Sequence, residues 1–205
     1  IQSNAQFSYT NGEVKYKWQL GVRIHSDQAD RYATRSNYTM TNGTMILNSV
    51  GVKGNQENQI RNARAIAAYM NYDIEYKGLK ISPGVRYERI EFDFQNFGNN
   101  DNGRLGAGLR SATNTMSIVL PGIGFNYAFK NGSDLFAGIH KGFSPPGMPS
   151  VNSTTQAKVE TAINYELGYR YDQKGLHIHA AAFLNDYANI LGSDNMSAGG
   201  LRTGD

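Results

Sequence analysis

Apolar and polar residues alternate along most of this chain with a period of two. In Val14–Ile24, the residues Val14, Tyr16, Trp18, Leu20, Val22 and Ile24 fall on one side, and Lys15, Lys17, Gln19 and Arg23 on the other. Ala68, Met70, Tyr72, Ile74 and Tyr76 likewise oppose Asn71, Asp73 and Glu75. Leu79, Ile81, Val85 and Tyr87 oppose Lys80, Ser82, Arg86 and Glu88. Ile163, Tyr165, Leu167, Tyr169 and Tyr171 oppose Asn164, Glu166, Gly168 and Arg170. Successive side chains of a strand point to opposite faces, so each run predicts a strand with one apolar and one wet side.

Between these runs, short and long connections take turns. Asn11-Gly12, Lys77-Gly78, Asn131-Gly132 and Lys174-Gly175 are tight-turn pairs, because glycine supplies the positive φ that hairpin turns need. Long polar segments separate them at about 26–63, 97–114 and 144–160, and a further one opens after Gly192. The prediction is eight strands at 2–10, 14–25, 64–76, 79–94, 116–129, 134–143, 161–172 and 176–190. Pro83 and Pro121 fall inside two of them, and a bulge is expected at each.

A soluble sandwich also alternates, and the aromatic residues separate the two cases. Tyr16, Tyr76, Tyr127 with Phe129, and Tyr169 with Tyr171 all lie within a few residues of the four short turns. A tyrosine ring is apolar while its hydroxyl wants water, so such a collar belongs at a membrane–water boundary. Short turns on one rim and long loops on the other complete the signature of an outer-membrane barrel. The expected fold is therefore all-β, an antiparallel transmembrane β-barrel segment of about eight strands of a larger barrel.

Composition narrows the alternatives. Of 205 residues, 23 are Gly and 11% are aromatic, and low-complexity disorder would deplete the aromatics. A net charge of +3, with no dense lysine and arginine cluster, excludes a nucleic-acid stripe. With no cysteine there is neither a disulfide framework nor a thiolate metal site. The longest apolar run, Ala65–Met70, is far below the roughly 18 residues of a spanning helix.

Three stretches carry a family resemblance. Asp134-Leu135-Phe136-Ala137-Gly138-Ile139-His140-Lys141-Gly142-Phe143-Ser144-Pro145-Pro146 is similar to the strand and proline-containing loop start of TonB-dependent receptors. Glu160-Thr161-Ala162-Ile163-Asn164-Tyr165-Glu166-Leu167-Gly168-Tyr169-Arg170-Tyr171 resembles that family's E-x-x-x-x-Y-E-x-G-x-R-Y strand. Ala182-Phe183-Leu184-Asn185-Asp186-Tyr187-Ala188-Asn189 resembles its F-x-x-D-Y/F-x-N strand. With Leu120-Pro121-Gly122-Ile123-Gly124, these most resemble the ferric-citrate branch.

The resemblance implies a receptor of the bacterial outer membrane, seated in its lipid, that takes up a ferric chelate without covalent chemistry. It implies a large barrel filled by an N-terminal plug domain that touches the TonB complex. Residues 1–205 then form part of the barrel domain, with the plug domain and the C-terminal strands absent, and an intact eight-stranded barrel is the alternative. Neither a cofactor nor an enzymatic role is implied. Other members carry cobalamin, saccharides or peptides, and a structural or adhesion barrel is the runner-up.

The candidate site residues are the loop arginines. Arg31, Arg35, Arg61 and Arg64 flank the first long segment, and Arg104 and Arg110 lie in the second. A guanidinium fork donates two parallel hydrogen bonds to a carboxylate, and several of them steer an anion. Arg104, Arg110, Arg31 and Arg35 are the expected substrate-binding set. Arg104 and Arg110 lead, because their loop is glycine-rich and only Asp101 stands locally to neutralise them. The alternative is that these arginines are solvated or pair with Asp27, Asp30, Glu57 and Asp101.

Other motifs carry less. His177 and His179 lie two apart on one strand face, but no carboxylate or cysteine close in sequence completes a metal set. His25 and His140 stand alone. Glu166 is expected to hydrogen-bond Arg170 across the pleat rather than to act as a catalytic acid. No nucleophile and base stand in a usable order. Asn37-Tyr38-Thr39, Asn42-Gly43-Thr44, Asn131-Gly132-Ser133, Asn152-Ser153-Thr154 and Asn195-Met196-Ser197 match glycosylation acceptors by chance of polar composition.

Overall fold

A computed structural model describes residues 1–147, 149, 158–173 and 175–190. The segment opening after Gly192 and the triplets at 152–154 and 195–197 lie outside the described residues. The described residues form ten strands: β1 (Gln2–Asn11), β2 (Val14–Ala33), β3 (Asn37–Thr41), β4 (Thr44–Ser49), β5 (Glu57–Tyr76), β6 (Leu79–Asn96), β7 (Arg110–Ala128), β8 (Ser133–Ser144), β9 (Glu160–Gln173) and β10 (Leu176–Ala188). Eight of them make one antiparallel sheet in the order β1-β2-β5-β6-β7-β8-β9-β10, and β3 and β4 form a separate hairpin. Each strand of the large sheet pairs with its neighbour in the chain order, so the four short turns share one rim, as expected. β1 and β10 are the two edges and do not pair with each other.

The turns follow from local chemistry. Lys77 and Gly78 both have positive φ, 46° and 88°, the combination a two-residue hairpin requires. A Cβ on Gly78 would lie 2.6 Å from the carbonyl oxygen of Ala128, so this turn has no room for another residue.

The face that carries Trp18 is called outer here, and the opposite face inner. Trp18, Leu20, Val22 and Ile24 are 38–54% exposed, and among the described residues no second sheet packs on them. In register beside them run Tyr72, Met70, Ala68 and Ile66 of β5. Val85 and Tyr87 of β6 and Pro121 and Val119 of β7 continue the same rows. From Val14 to Ile24 the apolar face extends about 33 Å along the strand, or roughly 23 Å of height at a tilt near 45°. That matches the apolar band of an outer-membrane barrel. Near the short turns, Tyr9 stacks on Tyr16 at 5.6 Å, Trp18 on Tyr72 at 4.0 Å, and Tyr127 meets Phe129 edge-on at 4.8 Å.

Above the band the two faces exchange character. On β6 the apolar positions are odd from Leu79 to Tyr87 and even from Ile90 to Phe94. The outer face there carries Arg89, Glu91 and Asp93. Its inner face turns apolar, where Ile90, Phe92, Met116 and Ile118 form the buried core with Ala63, Ala65 and Leu120 against it. Phe143, near the end of β8, and Val159, just before β9, also pack against this cluster.

Three expectations are corrected. First, the long polar segment at 26–63 is mostly strand: β2 runs on to Ala33, β5 starts at Glu57, and Asn42-Gly43 turns the β3–β4 hairpin with φ of 51° and 78°. Second, Pro83 and Pro121 sit in β6 and β7 with no shift of register. The ladder between β5 and β6 is interrupted beside Pro83 instead, and that between β7 and β8 stops at Gly122, next to Pro121. A proline has no N–H to give, and here it removes bonds without adding a residue. Third, Arg170 pairs with Asp134 at 2.7 Å, its partner on β8, and not with Glu166.

Candidate functional site

Register brings four side chains from four strands into one inner-face row at the long-loop rim. Arg31 of β2 lies opposite Gln59 of β5, Gln59 opposite Asn96 of β6, and Asn96 opposite Arg110 of β7. Arg61, two residues along β5 from Gln59, faces the same way. Opposed residues share a face and stand about 5 Å apart at Cβ, so these groups form a continuous wall. The apolar core of Ile90, Phe92, Met116 and Ile118 lies directly below and stiffens it.

Electrostatics differ along the row. Arg31 holds Glu57 at 3.1 Å, which is one of the pairings foreseen. Arg61 donates from Nη2 to Gln59 at 2.8 Å and lies 5.4 Å from the centre of the Phe94 ring. Its Nε is buried with no hydrogen-bond partner among the described residues. A buried donor left so costs about 1–3 kcal/mol, a cost that an incoming acceptor would remove. The wall thus offers guanidinium and amide donors over an aromatic floor, a set suited to an anionic, oxygen-rich ligand.

Arg104 is placed differently. Its guanidinium grips Asp30 through both terminal nitrogens, at 2.5 and 3.1 Å, and its Nε donates to Asn58 Oδ1 at 2.8 Å. It also stacks 4.1 Å over the Tyr32 ring, whose other cationic neighbour is Lys53 at 4.6 Å. Asp30, Tyr32 and Asn58 fall on the outer-face rows of β2 and β5. Arg104 therefore fastens the 97–109 connection to the outer side of the sheet. Asp101, expected as its local neutraliser, serves the backbone: its carboxylate accepts from the amides of Leu105 and Gly106 at 2.9 and 2.7 Å. The partner that does neutralise Arg104 is Asp30, 74 residues away.

The fastening carries a pH dependence. Hydrogen bonds from Arg104 hold the Asp30 carboxyl below its ordinary 3.8, with the nearby charges of Arg104 and Lys53 adding to the effect. A carboxylate whose folded value is depressed contributes fully above the unfolded value and loses that contribution as pH falls through the folded one. The connection should stay closed down to about pH 4 and loosen below it. Proteolysis at 97–109, compared at pH 3 and pH 5, checks this, and Asp30→Asn should abolish the difference.

The remaining candidates resolve simply. Arg35 lies beyond the end of β2, with its backbone N–H and C=O bonded to the side chain of Asn55 at 2.7 and 2.9 Å. Its guanidinium is exposed and has no partner among the described residues. His177 meets Asp172, its register partner on β9, at 2.9 Å, and the His179 ring lies 5.8 Å from that of Phe136. No group of three metal-ligating side chains forms among the described residues. Asn58, Gln59 and Asn96 had no signal in the sequence, because only register puts these amides beside the arginines.

Comparison with known proteins fits this architecture. The chain is similar to the siderophore receptor PiuA from Acinetobacter baumannii, at 14% identity and a TM-score of 0.64, over 89% of this chain and 31% of that one. Against the ferric-catecholate import receptor Fiu from E. coli the values are 14% and 0.71, over 98% and 32%. Against the ferric yersiniabactin uptake receptor FyuA from Yersinia pestis they are 15% and 0.54, over 91% and 32%. At such identities the likeness is one of fold, and the chain spans about a third of each receptor. No curated protein sequence matches it. The model of the TonB dependent receptor-like β-barrel family matches residues 1–203, and the chain belongs to that family.

Proposed function

We propose that this chain is the barrel portion of an outer-membrane receptor for a ferric siderophore, with an oxygen-rich, carboxylate-bearing chelate such as ferric citrate as its ligand. The observation that carries the reading is the inner-face row Arg31–Gln59–Asn96–Arg110 with Arg61 beside it. Its donors face the side that a barrel turns to its lumen, where a substrate passes. Arg31 and Arg110 contact the chelate, Arg35 steers it from the rim, and Arg104 acts indirectly by holding the neighbouring loop. Uptake would be energised through TonB by a plug domain supplied elsewhere in the full-length receptor.

Replacing Arg31 and Arg110 together by alanine in the full-length receptor tests this. Each charge-assisted hydrogen bond is worth roughly 1.5–3 kcal/mol, so affinity for ferric citrate should fall about tenfold or more. Calorimetric titration with ferric citrate and with a ferric catecholate, at low and high salt, measures the loss and its ligand preference. A loss that shrinks in high salt reports steering. Unchanged affinity for both chelates, in protein that has assembled normally, removes the row from the site.

A further inference from the structure

Two arginines stand on the outer face at the upper edge of the apolar band, on neighbouring strands. Arg89 of β6 lies in the row Ile24–Ile66–Arg89–Ser117, and Arg64 of β5 in the next row up, Ser26–Arg64–Glu91–Thr115. They are diagonal neighbours, a spacing that long side chains bridge readily. One row below, the Tyr87 hydroxyl donates to Ser117 Oγ at 3.3 Å and marks the level at which the apolar face first meets polar groups. Both arginines are exposed, and neither has an ion pair or hydrogen bond among the described residues. Glu91 lies directly opposite Arg64 yet forms no ion pair with it. Arg104 is engaged with Asp30, and Lys53 lies over the Tyr32 ring.

We propose that Arg64 and Arg89 bind the phosphate of an anionic lipid headgroup in the leaflet nearest the long connections. The inference goes beyond chelate uptake and rests only on the membrane placement of the band. A charge at the upper edge of an apolar wall sits at headgroup depth, where phosphate is the anion available. Two guanidiniums set diagonally can each donate to a different oxygen of one phosphate, with the Ser117 and Ser26 hydroxyls flanking them. Glu91 lowers the local charge but leaves two cations to one carboxylate. That balance favours a dianionic phosphomonoester over a zwitterionic headgroup.

The test uses the full-length receptor in detergent, titrated with short-chain phosphatidic acid, with the matching diacylglycerol and with inorganic phosphate, and read by native mass spectrometry. Phosphatidic acid should bind, and Arg64→Ala with Arg89→Ala should weaken it about tenfold or more, the loss of one charge-assisted hydrogen bond or more. Arg64→Lys with Arg89→Lys should recover part of the binding, which also shows that the alanine variant has not simply misfolded. Diacylglycerol binding should not change. Equal affinity for phosphatidic acid in the wild-type and alanine forms overturns the proposal. Full competition by inorganic phosphate at the same concentration also overturns it, by making the site one for free phosphate. Ferric citrate affinity of the alanine variant should match wild type, so that failure here and failure of the uptake reading remain separate results.

Discussion

Leu20→Arg should destabilise the inserted barrel by about 2–4 kcal/mol, the cost of an arginine on the lipid face near mid-band. Leu20 is 40% exposed on the outer face, close to the middle of the Val14–Ile24 run, with Met70 as its register partner. The same change one residue earlier, Gln19→Arg, should cost little. Gln19 lies on the inner face, where its side chain reaches Gln6 at 3.5 Å among polar neighbours. Urea unfolding of the full-length receptor in lipid vesicles gives both values under one protocol. A large cost at both positions, or at neither, would show that the two faces of β2 do not meet different solvents.

Asn58→Ala should release the 97–109 connection while leaving the band intact. Asn58 is the most buried polar residue described, at 1% exposure. Its Nδ2 donates to the carbonyls of Gly98 and Asp101 at 3.0 and 2.8 Å, and its Oδ1 accepts from Arg104. Losing these three bonds costs about 2–4 kcal/mol, which raises local opening roughly 30- to 1000-fold. Hydrogen exchange at the amides of Arg104, Leu105 and Gly106 should accelerate by that factor, while amides of Leu20 and Met70 stay protected. Arg104 holds a left-handed backbone, φ 54°, which a released loop has no reason to keep. Unchanged exchange would mean that the loop is held by something other than this clamp.

The band half of the fold was legible because its alternation is unbroken. Tyr16, Trp18, Leu20 and Val22 announce one face, and glycine at each short turn announces the rim. The upper half was obscured by the exchange of faces. From Ser26 to Arg31, β2 is polar on both sides apart from Ala29, so a period-two reading finds no strand there. On β6 the signal was present but split, since Leu79–Tyr87 and Ile90–Phe94 alternate out of phase. Asn42-Gly43 is itself a hairpin signal, flanked by Tyr38, Met40, Met45 and Leu47, although the same residues also read as a glycosylation triplet.

The site was legible in its residue types and not in its geometry. Arginines gathered at the rim could be seen, and Asp30 and Glu57 could be seen as partners for them. Which arginine takes which acid depends on strands that meet only in the sheet. The Arg104–Asp30 contact spans 74 residues, and the row that joins Arg31 to Arg110 crosses three ladders. No local pattern encodes such distances.

The exchange of faces also acts as a ruler. Strict alternation forbids a slip of one residue between strands but is blind to a slip of two, which returns every side chain to its own side. Here a two-residue slip of β6 against β5 is costly in both directions. One way, Arg89 leaves Ile66 and drops to the level of Ala68, inside the apolar band. The other way, Arg89 rises to stand directly opposite Arg64, and like charges facing across a ladder repel. The changeover on β6 thus marks one register against β5. It locks these two strands to each other where plain alternation could not.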